Sequence, residues 1–547
     1  MSKDVRTMRI DGRDNLVVAL VDLAAGETIE VGGRAVRLVD AIRAKHKFAC
    51  ERIESGGAAV MYGVLVGRAT GVIEEGGAVT TGNLVHAAEA VETGKVGRAW
   101  EAPDVSVWQG RTWNGFLRSS GDAGTQNVWL VVPLVFCENR NLELMRQALL
   151  RPLGYAKSPV YEGYVRALVE ARSKGEGSDG LEPGFEGGSG KAVFENVDGV
   201  KFLTHTLGCG GTDADAEALA GLLAGYVTHP NVAGATVLSL GCQKTQIALL
   251  ESAIAGRQAG FDRPVRIFEQ QKCASERDLM GKALRATFEG MAEANELRRE
   301  AVPLSKLVLG MECGGSDGFS GISANPLMGE VADRVVGLGG KVMLAEFPEL
   351  CGAEQDLVER CADEKVAGRF LELMGAYGAA AERVGSGFDS NPSPGNVADG
   401  LITDAIKSCG AARKGGTSPV VGVLDYPEPC RRDGLSLLCT PGGDVESTTA
   451  LAGSGANLMM FSTGLGTPTG NPVTPVMKLS SNTELAERMP DVIDFDAGPL
   501  VAGEAGMGEM AGSLLDLAVR VASGEVKTRA QELGQDDFIP WKRGVSL

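Results

Sequence analysis

Short apolar runs separated by glycine-bearing turns open the chain. NLVVALVDL, KHKFACERI and AAVMYGVLVGRAT fall within residues 15–86 and are β-prone, and AAGE, ESGG and EEGG punctuate them. That pattern predicts a small β-rich module. From residue 127 the texture changes. VWLVVPLVF, KFLTHTLG, ATVLSLG, KLVLGM and KVMLAEF are apolar runs of the kind that a strand buried on both faces requires. Segments with helical spacing lie between them: NRNLELMRQALL, DAEALAGLLAGYV and RDLMGKALRATFEGMAEANELRRE. Strands alternating with helices predict a mainly parallel sheet covered on both faces, with ligands held beyond the carboxyl ends of its strands.

The stretch GSGFDSNPSPGN, residues 385–396, is either a domain linker or an ordered loop of a site. SPVVGVLDY, GLSLLCTPGG and ANLMMFSTGLG continue the α/β pattern after it, and AGSLLDLAVRVASGEV reads as a last helix. The chain is therefore expected to be multidomain α/β: a β-rich domain over 1–100, a linker over 101–111, an α/β domain over 112–395 and a C-terminal α/β domain over 396–547.

Composition supports this reading. Apolar residues make up 44% of the 547, aromatics only 5%, and there are 76 glycines, as many strand–helix turns would demand. The formal net charge of −18, with no run of Lys or Arg, excludes the basic footprint of a nucleic-acid binder. An anionic substrate would then need a locally positive pocket. MSKDVRTMRIDGRDNL has no apolar signal core, and no uninterrupted apolar stretch is long enough to span a bilayer. No membrane association is expected, and the cytoplasm is the expected location. The eleven cysteines should be reduced there, serving as packing or as ligands.

Three cysteines share one setting. Cys209 in HTLGCGGTDAD, Cys242 in LSLGCQKTQ and Cys313 in LGMECGGSDGFSG each end a strand-like run, touch glycine and precede a helical pattern. Cys137, in VVPLVFCENRN, ends a strand without the glycines. Strand ends of one parallel sheet converge, so such thiols can meet at a metal although they are far apart in sequence; equally, they can be small residues filling tight turns. His205, just before Cys209, is a candidate base, ligand or structural histidine. Ser316 and Asp317, after Cys313, are catalytic candidates or a helix cap. Lys478, closing FSTGLGTPTGNPVTPVMK, is a candidate partner for a carboxylate. There is no P-loop, no GxSxG elbow, and no GxGxxG in a strand–turn–helix context.

Taken in order, HKFACERIESGGAAVMYGVLVGRATGVIEEGGAV, GTQNVWLVVPLVFCENRN, GCGG, LSLGCQKTQ, GMECGGSDGFSGISANPLMG, NPSPGN and FSTGLGTPTGNPVTPVMKLSSNTELAERM span nearly the whole chain. This series resembles the altronate/galactarate dehydratase family. The resemblance implies an N-terminal SAF-type domain and a hydro-lyase that depends on iron or another divalent metal. Such an enzyme takes a proton beside a carboxylate and expels the β-hydroxyl of a small anionic sugar acid, giving a 2-keto-3-deoxy acid; a homo-oligomer is the usual state. Cys137, Cys209, Cys242, Cys313 and His205 fall on motif positions. The expectation is that Cys209, Cys242 and Cys313 bind iron together as a [4Fe-4S] cluster with one iron open to substrate, with Cys137 as an alternative ligand or proton donor. The alternative is a mononuclear Fe2+ or other divalent ion held by oxygen and histidine. His205 is expected as acid–base, Lys478 as the carboxylate's partner, and Ser316 and Asp317 as further catalytic residues.

The sequence also departs from the family pattern. A VHxHN-like histidine pair is replaced by AVTTGN, TGRG by TGLG with Leu465, and GTRN or GTKN by GTQN with Gln126. Two cations are thereby lost. That leaves room for a related β-elimination, such as release of sulfite from sulfolactate, or for a sugar-acid-binding protein without turnover.

Overall fold

Strand Leu16–Ala19 shows how the N-terminal domain is built. Its side chains alternate between two cores: Leu16 and Val18 join the main core of the molecule, while Val17 and Ala19 pack with Ile29, Val36 and Phe48 in a small core of the domain's own. In the computed structural model, which describes residues 6–157, 160–184 and 191–547, this strand belongs to an antiparallel sheet with Thr7–Met8, Lys47–Ala49 and Ala78–Val79. The hairpin Thr28–Val31/Arg34–Arg37 and the sheet of Ala58–Met61, Val64–Ala69 and Leu84–Val85 complete a domain made only of short antiparallel strands. The expected β-rich domain is present.

Two parallel sheets follow. The first has the order Gly199–Phe202, Val128–Pro133, Val232–Ser239, Val265–Glu269. Its inner strands, VWLVVP and VAGATVLS, are buried along their whole length, as two-sided coverage by helices demands. The second has seven strands, all parallel: Val420–Leu424, Gly434–Leu438, Lys341–Leu344, Val308–Cys313, Leu458–Thr463, Val476–Ser480 and Phe495–Asp496. The chain builds one side of this sheet from Val308–Cys313, then returns to lay Leu458–Thr463 on the other. The crevice between those two strand ends is where the winding reverses, the usual position of a ligand. A short antiparallel ribbon pairs Thr112–Leu117 with Ala123–Gly124, both ahead of the first sheet in sequence, and with Glu300–Pro303, which falls between the two sheets.

The boundary expected at 395 does not separate the sheets. Strands Val308–Cys313 and Lys341–Leu344 pair with Leu458–Thr463 and Gly434–Leu438, so the change of sheet falls between Glu269 and Val308. Local pattern identifies a buried strand but not its neighbour, which is fixed by crossover packing. Residues 385–396 are an ordered loop rather than a spacer: it leads into helix Pro394–Ala398, and the Asn396 amide donates to the Ser316 carbonyl at 2.7 Å. The expected linker at 101–111 is irregular apart from one turn, Ser106–Trp108, and buries Trp108. Among the described residues no helix is long and apolar enough to cross a membrane.

Candidate active site

Cys313 is the last residue of its strand, and its surroundings define the site. Gly314 and Gly315 follow, and the Gly314 N–H donates to Ser462 O at 3.0 Å across the reversal crevice. A Cβ on Gly314 would stand 2.1 Å from an Asp444 oxygen and 2.6 Å from the Phe461 ring, so any larger residue there would displace Asp444. The Cys313 thiol donates to Glu349 at 3.1 Å and receives the Lys414 ammonium at 2.7 Å, and Lys414 also pairs with Glu346 at 2.5 Å. Glu349 in turn pairs with Lys407 at 2.6 Å, and Lys407 donates to Asn391 at 2.7 Å. Behind them Ser447 donates to Glu312 at 2.5 Å.

Sheet geometry positions these groups. Glu312 belongs to the Cys313 strand; Glu346 and Glu349 follow Lys341–Leu344, the neighbouring strand; Lys407 and Lys414 lie on and just after helix Asp404–Ala412. Glu346 adopts left-handed backbone, φ +67, which turns the chain sharply as it leaves the sheet.

The electrostatics follow from burial. Burial raises the Glu312 carboxyl well above its usual range, and the charge of Glu346 adds to this. Glu312 and Glu346 each leave one buried oxygen without a conventional donor, and a proton kept on Glu312 between the two carboxyls supplies it. Burial also opposes ionisation of Glu349, but Lys407 and Lys414 overcome it and hold Glu349 below its usual value. Burial and the charges of Glu346 and Glu349 push Asp444 up to about 7.

Asp444 opens helix Asp444–Gly453 and, with Glu349, Lys407, Asn391, Asn396, Leu465 and the Gly314–Gly315 turn, lines a pocket of about 480 Å³. Leu465 therefore stands in the pocket wall. A larger cleft of about 750 Å³ includes the amino ends of these strands, at Val308 and Lys341, and holds none of the expected site residues. The pocket at the carboxyl ends is the better candidate because the titratable groups converge there.

The other expected residues lie as follows. Cys137, Cys209 and Cys242 are exposed on the loops that leave three strands of the first sheet. Backbone bonds from Phe136 to Leu207 and from Lys244 to Gly208 hold those loops together. Cys313 is instead buried in the carboxylate–lysine group of the second sheet. Cys313, Glu346 and Glu349 offer ligand atoms within 4.8 Å of one another, but the Lys414 ammonium already contacts two of the three.

Asp317 is fully buried and saturated. One oxygen accepts from Ser320 and Ser481, and the other meets Lys45 of the N-terminal domain at 3.0 Å and Asn482 at 3.2 Å. Beside it, Lys47 donates to Gly400 O at 2.6 Å and the His46 ring meets Ala398 O at 3.1 Å. Ser316 is buried, with its carbonyl on Asn396. Lys478 is buried against Gln535 at 2.7 Å, its pKa lowered to about 8 by burial, and it does not line the pocket.

His205 has both ring nitrogens on backbone: Nε2 lies 2.9 Å from Pro133 O, and Nδ1 accepts from Leu207 N at 3.1 Å. This is the geometry of a structural histidine. Burial pushes its pKa from 6.5 down to about 4. Between those values the unfolded chain takes up a proton that the folded ring refuses, so stability falls as pH drops through this window, by up to ~3 kcal/mol from this ring. His205→Gln is expected to lessen the slope, read by urea unfolding at pH 7 and pH 5. An unchanged slope would mean that the ring does not carry it.

Glu312, Glu346, Glu349, Lys407, Lys414 and Asp444 were not singled out by sequence reasoning. One signal was visible: Glu312 is a charge inside the apolar run KLVLGMEC, and a buried parallel strand seldom tolerates one without a partner.

Comparison with known proteins agrees with this architecture. Residues 5–87 match the altronate/galactarate dehydratase SAF domain, residues 115–295 the second domain of D-galactarate dehydratase/altronate hydrolase, and residues 304–546 the C-terminal domain of D-galactarate/altronate dehydratase. The break between the last two coincides with the change of sheet. The chain is 33% identical to an altronate dehydratase of Bacillus subtilis over 99% of both chains. It is 29% identical to the galactarate dehydratase (L-threo-forming) of Escherichia coli, over 96% of this chain and 94% of the relative. It is 32% identical to the (2R)-sulfolactate sulfo-lyase subunit beta of Chromohalobacter salexigens, over 64% of this chain and 88% of the relative. The chain belongs to the altronate/galactarate dehydratase family, and with it to the hydro-lyases.

Proposed function

We propose that this enzyme removes water from an altronate- or galactarate-type sugar acid, giving a 2-keto-3-deoxy acid in the pocket of the seven-stranded sheet. The observation that carries this reading is the presence, in one pocket, of both the Lys407 ammonium and Asp444, a carboxyl poised near neutrality. Lys407 binds the substrate carboxylate, and Asn391 and Glu349 fix its ammonium. Asp444, ionised, takes the proton from the carbon beside that carboxylate; protonated, it returns one to the departing β-hydroxyl, which leaves as water. The enol then tautomerises to the keto acid. Tyr377 and Phe388, ring centroids 5.8 Å apart, form an apolar wall that limits water at the reacting carbons.

For iron, the thiol set of Cys137, Cys209 and Cys242 fits better than Cys313, because those three sit on adjoining loops and lack an ammonium at the sulfur. Iron held there would be a Lewis acid; none of the three cysteines lines the pocket that holds Lys407 and Asp444. Serine replacements at Cys137, Cys209 and Cys242 are each expected to lower the iron content of anaerobically purified protein, whereas Cys313→Ser leaves it unchanged. Iron retained in all three variants sinks this assignment.

Incubation with aldonates, aldarates and sulfolactate, followed by a 2-keto acid assay and a sulfite assay, tests the reaction. Keto acid from an aldonate or aldarate is the expected result. Sulfite from sulfolactate alone, or binding without turnover after iron reconstitution, would overturn it.

A further inference from the structure

A second group of ligand-type side chains lies outside the pocket. His86 directly follows the last strand of the N-terminal domain, Leu84–Val85; Cys351 follows the turn Phe347–Leu350; and Asp404 opens helix Asp404–Ala412. Their imidazole nitrogen, sulfur and carboxylate oxygen all lie within 4.8 Å of one another. The Nδ1 atom of His86 contacts Asp404 Oδ1, and Cys351 Sγ stands 3.9 Å from Oδ2. We propose that His86, Cys351 and Asp404 bind a single zinc-like divalent cation at the seam between the N-terminal domain and the seven-stranded domain.

The donor set carries this inference. One imidazole, one thiolate and one carboxylate are a zinc set with a fourth position left for water or another carboxylate. Glu354 stands ready for that position: its carboxylate takes the Gly352 N–H at 2.6 Å and feels the charges of both His86 and Asp404. Among the described residues, no lysine or arginine forms an ion pair with Asp404 or Glu354, in contrast to the Cys313 group, where Lys414 is the cation. His86, with its side chain 31% exposed, gives the ion a path from solvent.

The site also reaches the pocket. Asp404 and Lys407 are on one turn of the same helix, and Cys351 is two residues beyond Glu349. An ion here ties together the two elements that bear the Lys407–Glu349 pair, a positioning role that does not depend on the iron reading.

The test is Co2+ titration of full-length, chelator-treated protein in a Cys137→Ser/Cys209→Ser/Cys242→Ser background, which removes the exposed strand-end thiols. One equivalent should give a thiolate-to-cobalt charge-transfer band and tetrahedral d–d bands. Adding Cys351→Ser should abolish the charge-transfer band, and adding His86→Ala should weaken binding at least ~10-fold. No band, or a band that survives Cys351→Ser, would overturn the proposal. Should the triple variant fail to fold, the Zn2+-dependent rise in Tm of the wild type decides. A rise lost in Cys351→Ser supports the site, and no rise, or an equal one in that variant, overturns it.

Discussion

Asp444→Asn is expected to lower kcat by roughly 10²- to 10⁴-fold with little change in Tm. The substitution keeps the shape of the side chain and its place at the start of helix Asp444–Gly453, but removes the ionisation. Its pKa is held near 7 by burial and by the charges of Glu346 and Glu349. The wild-type rate should therefore rise with pH through about 7 as the base form accumulates, and the variant should lose that limb. Steady-state kinetics across pH 5.5–9 would read both effects. A variant within tenfold of wild type, or one that keeps the limb, would remove Asp444 from the proton transfer.

Lys414→Met is expected to cost ~3–5 kcal/mol of stability. The side chain is 1% exposed and bonds both Glu346 and Cys313. Methionine fills similar volume but leaves Glu346 as a buried carboxylate with no cation. Glu346 then folds only by taking up a proton, its folded pKa standing further above the unfolded value. A group raised in this way contributes stability below its unfolded pKa and loses it as pH rises, so the variant should be weaker at pH 8 than at pH 5. Urea unfolding at the two values checks the sign. Adding Glu346→Gln should recover part of the loss, because it removes the stranded charge. A uniform loss at both pH values would point to packing rather than charge.

Much of the fold was legible because burial leaves local signatures. Short β-prone runs punctuated by glycine-bearing turns marked the strands of the first domain, and continuous runs such as VWLVVP and LMMFST marked strands covered on both faces. The partition into two sheets was not legible, since nothing in KLVLGMEC says that its neighbours come from residues 341–344 and 458–463. The site was legible at Cys313, through its glycine turn, and less so elsewhere. Glu346 and Glu349, in AEFPEL, and Lys407 and Lys414, in DAIKSCGAARKGG, look like ordinary surface charges until the crossovers bury them against one another. His205 and Asp317 misled in the opposite direction. Their residue types suggest catalysis, but backbone groups occupy both nitrogens of the ring, and hydroxyls, Lys45 and Asn482 occupy both oxygens of the carboxylate.

The stitch made by Lys45, His46 and Lys47 has a consequence for the order of assembly. Lys47 and its acceptor, Gly400, are 353 positions apart, so during synthesis this domain emerges long before the residues that its basic segment bonds. Contacts of such separation form late, because the intervening loop must first be shortened by folding of the two sheets. The N-terminal domain, with its own small core, is suited to hold its shape through that interval. Refolding should accordingly show early recovery of strand structure and a slower docking phase, in which Asp317 receives Lys45 and the loops that frame the pocket become fixed.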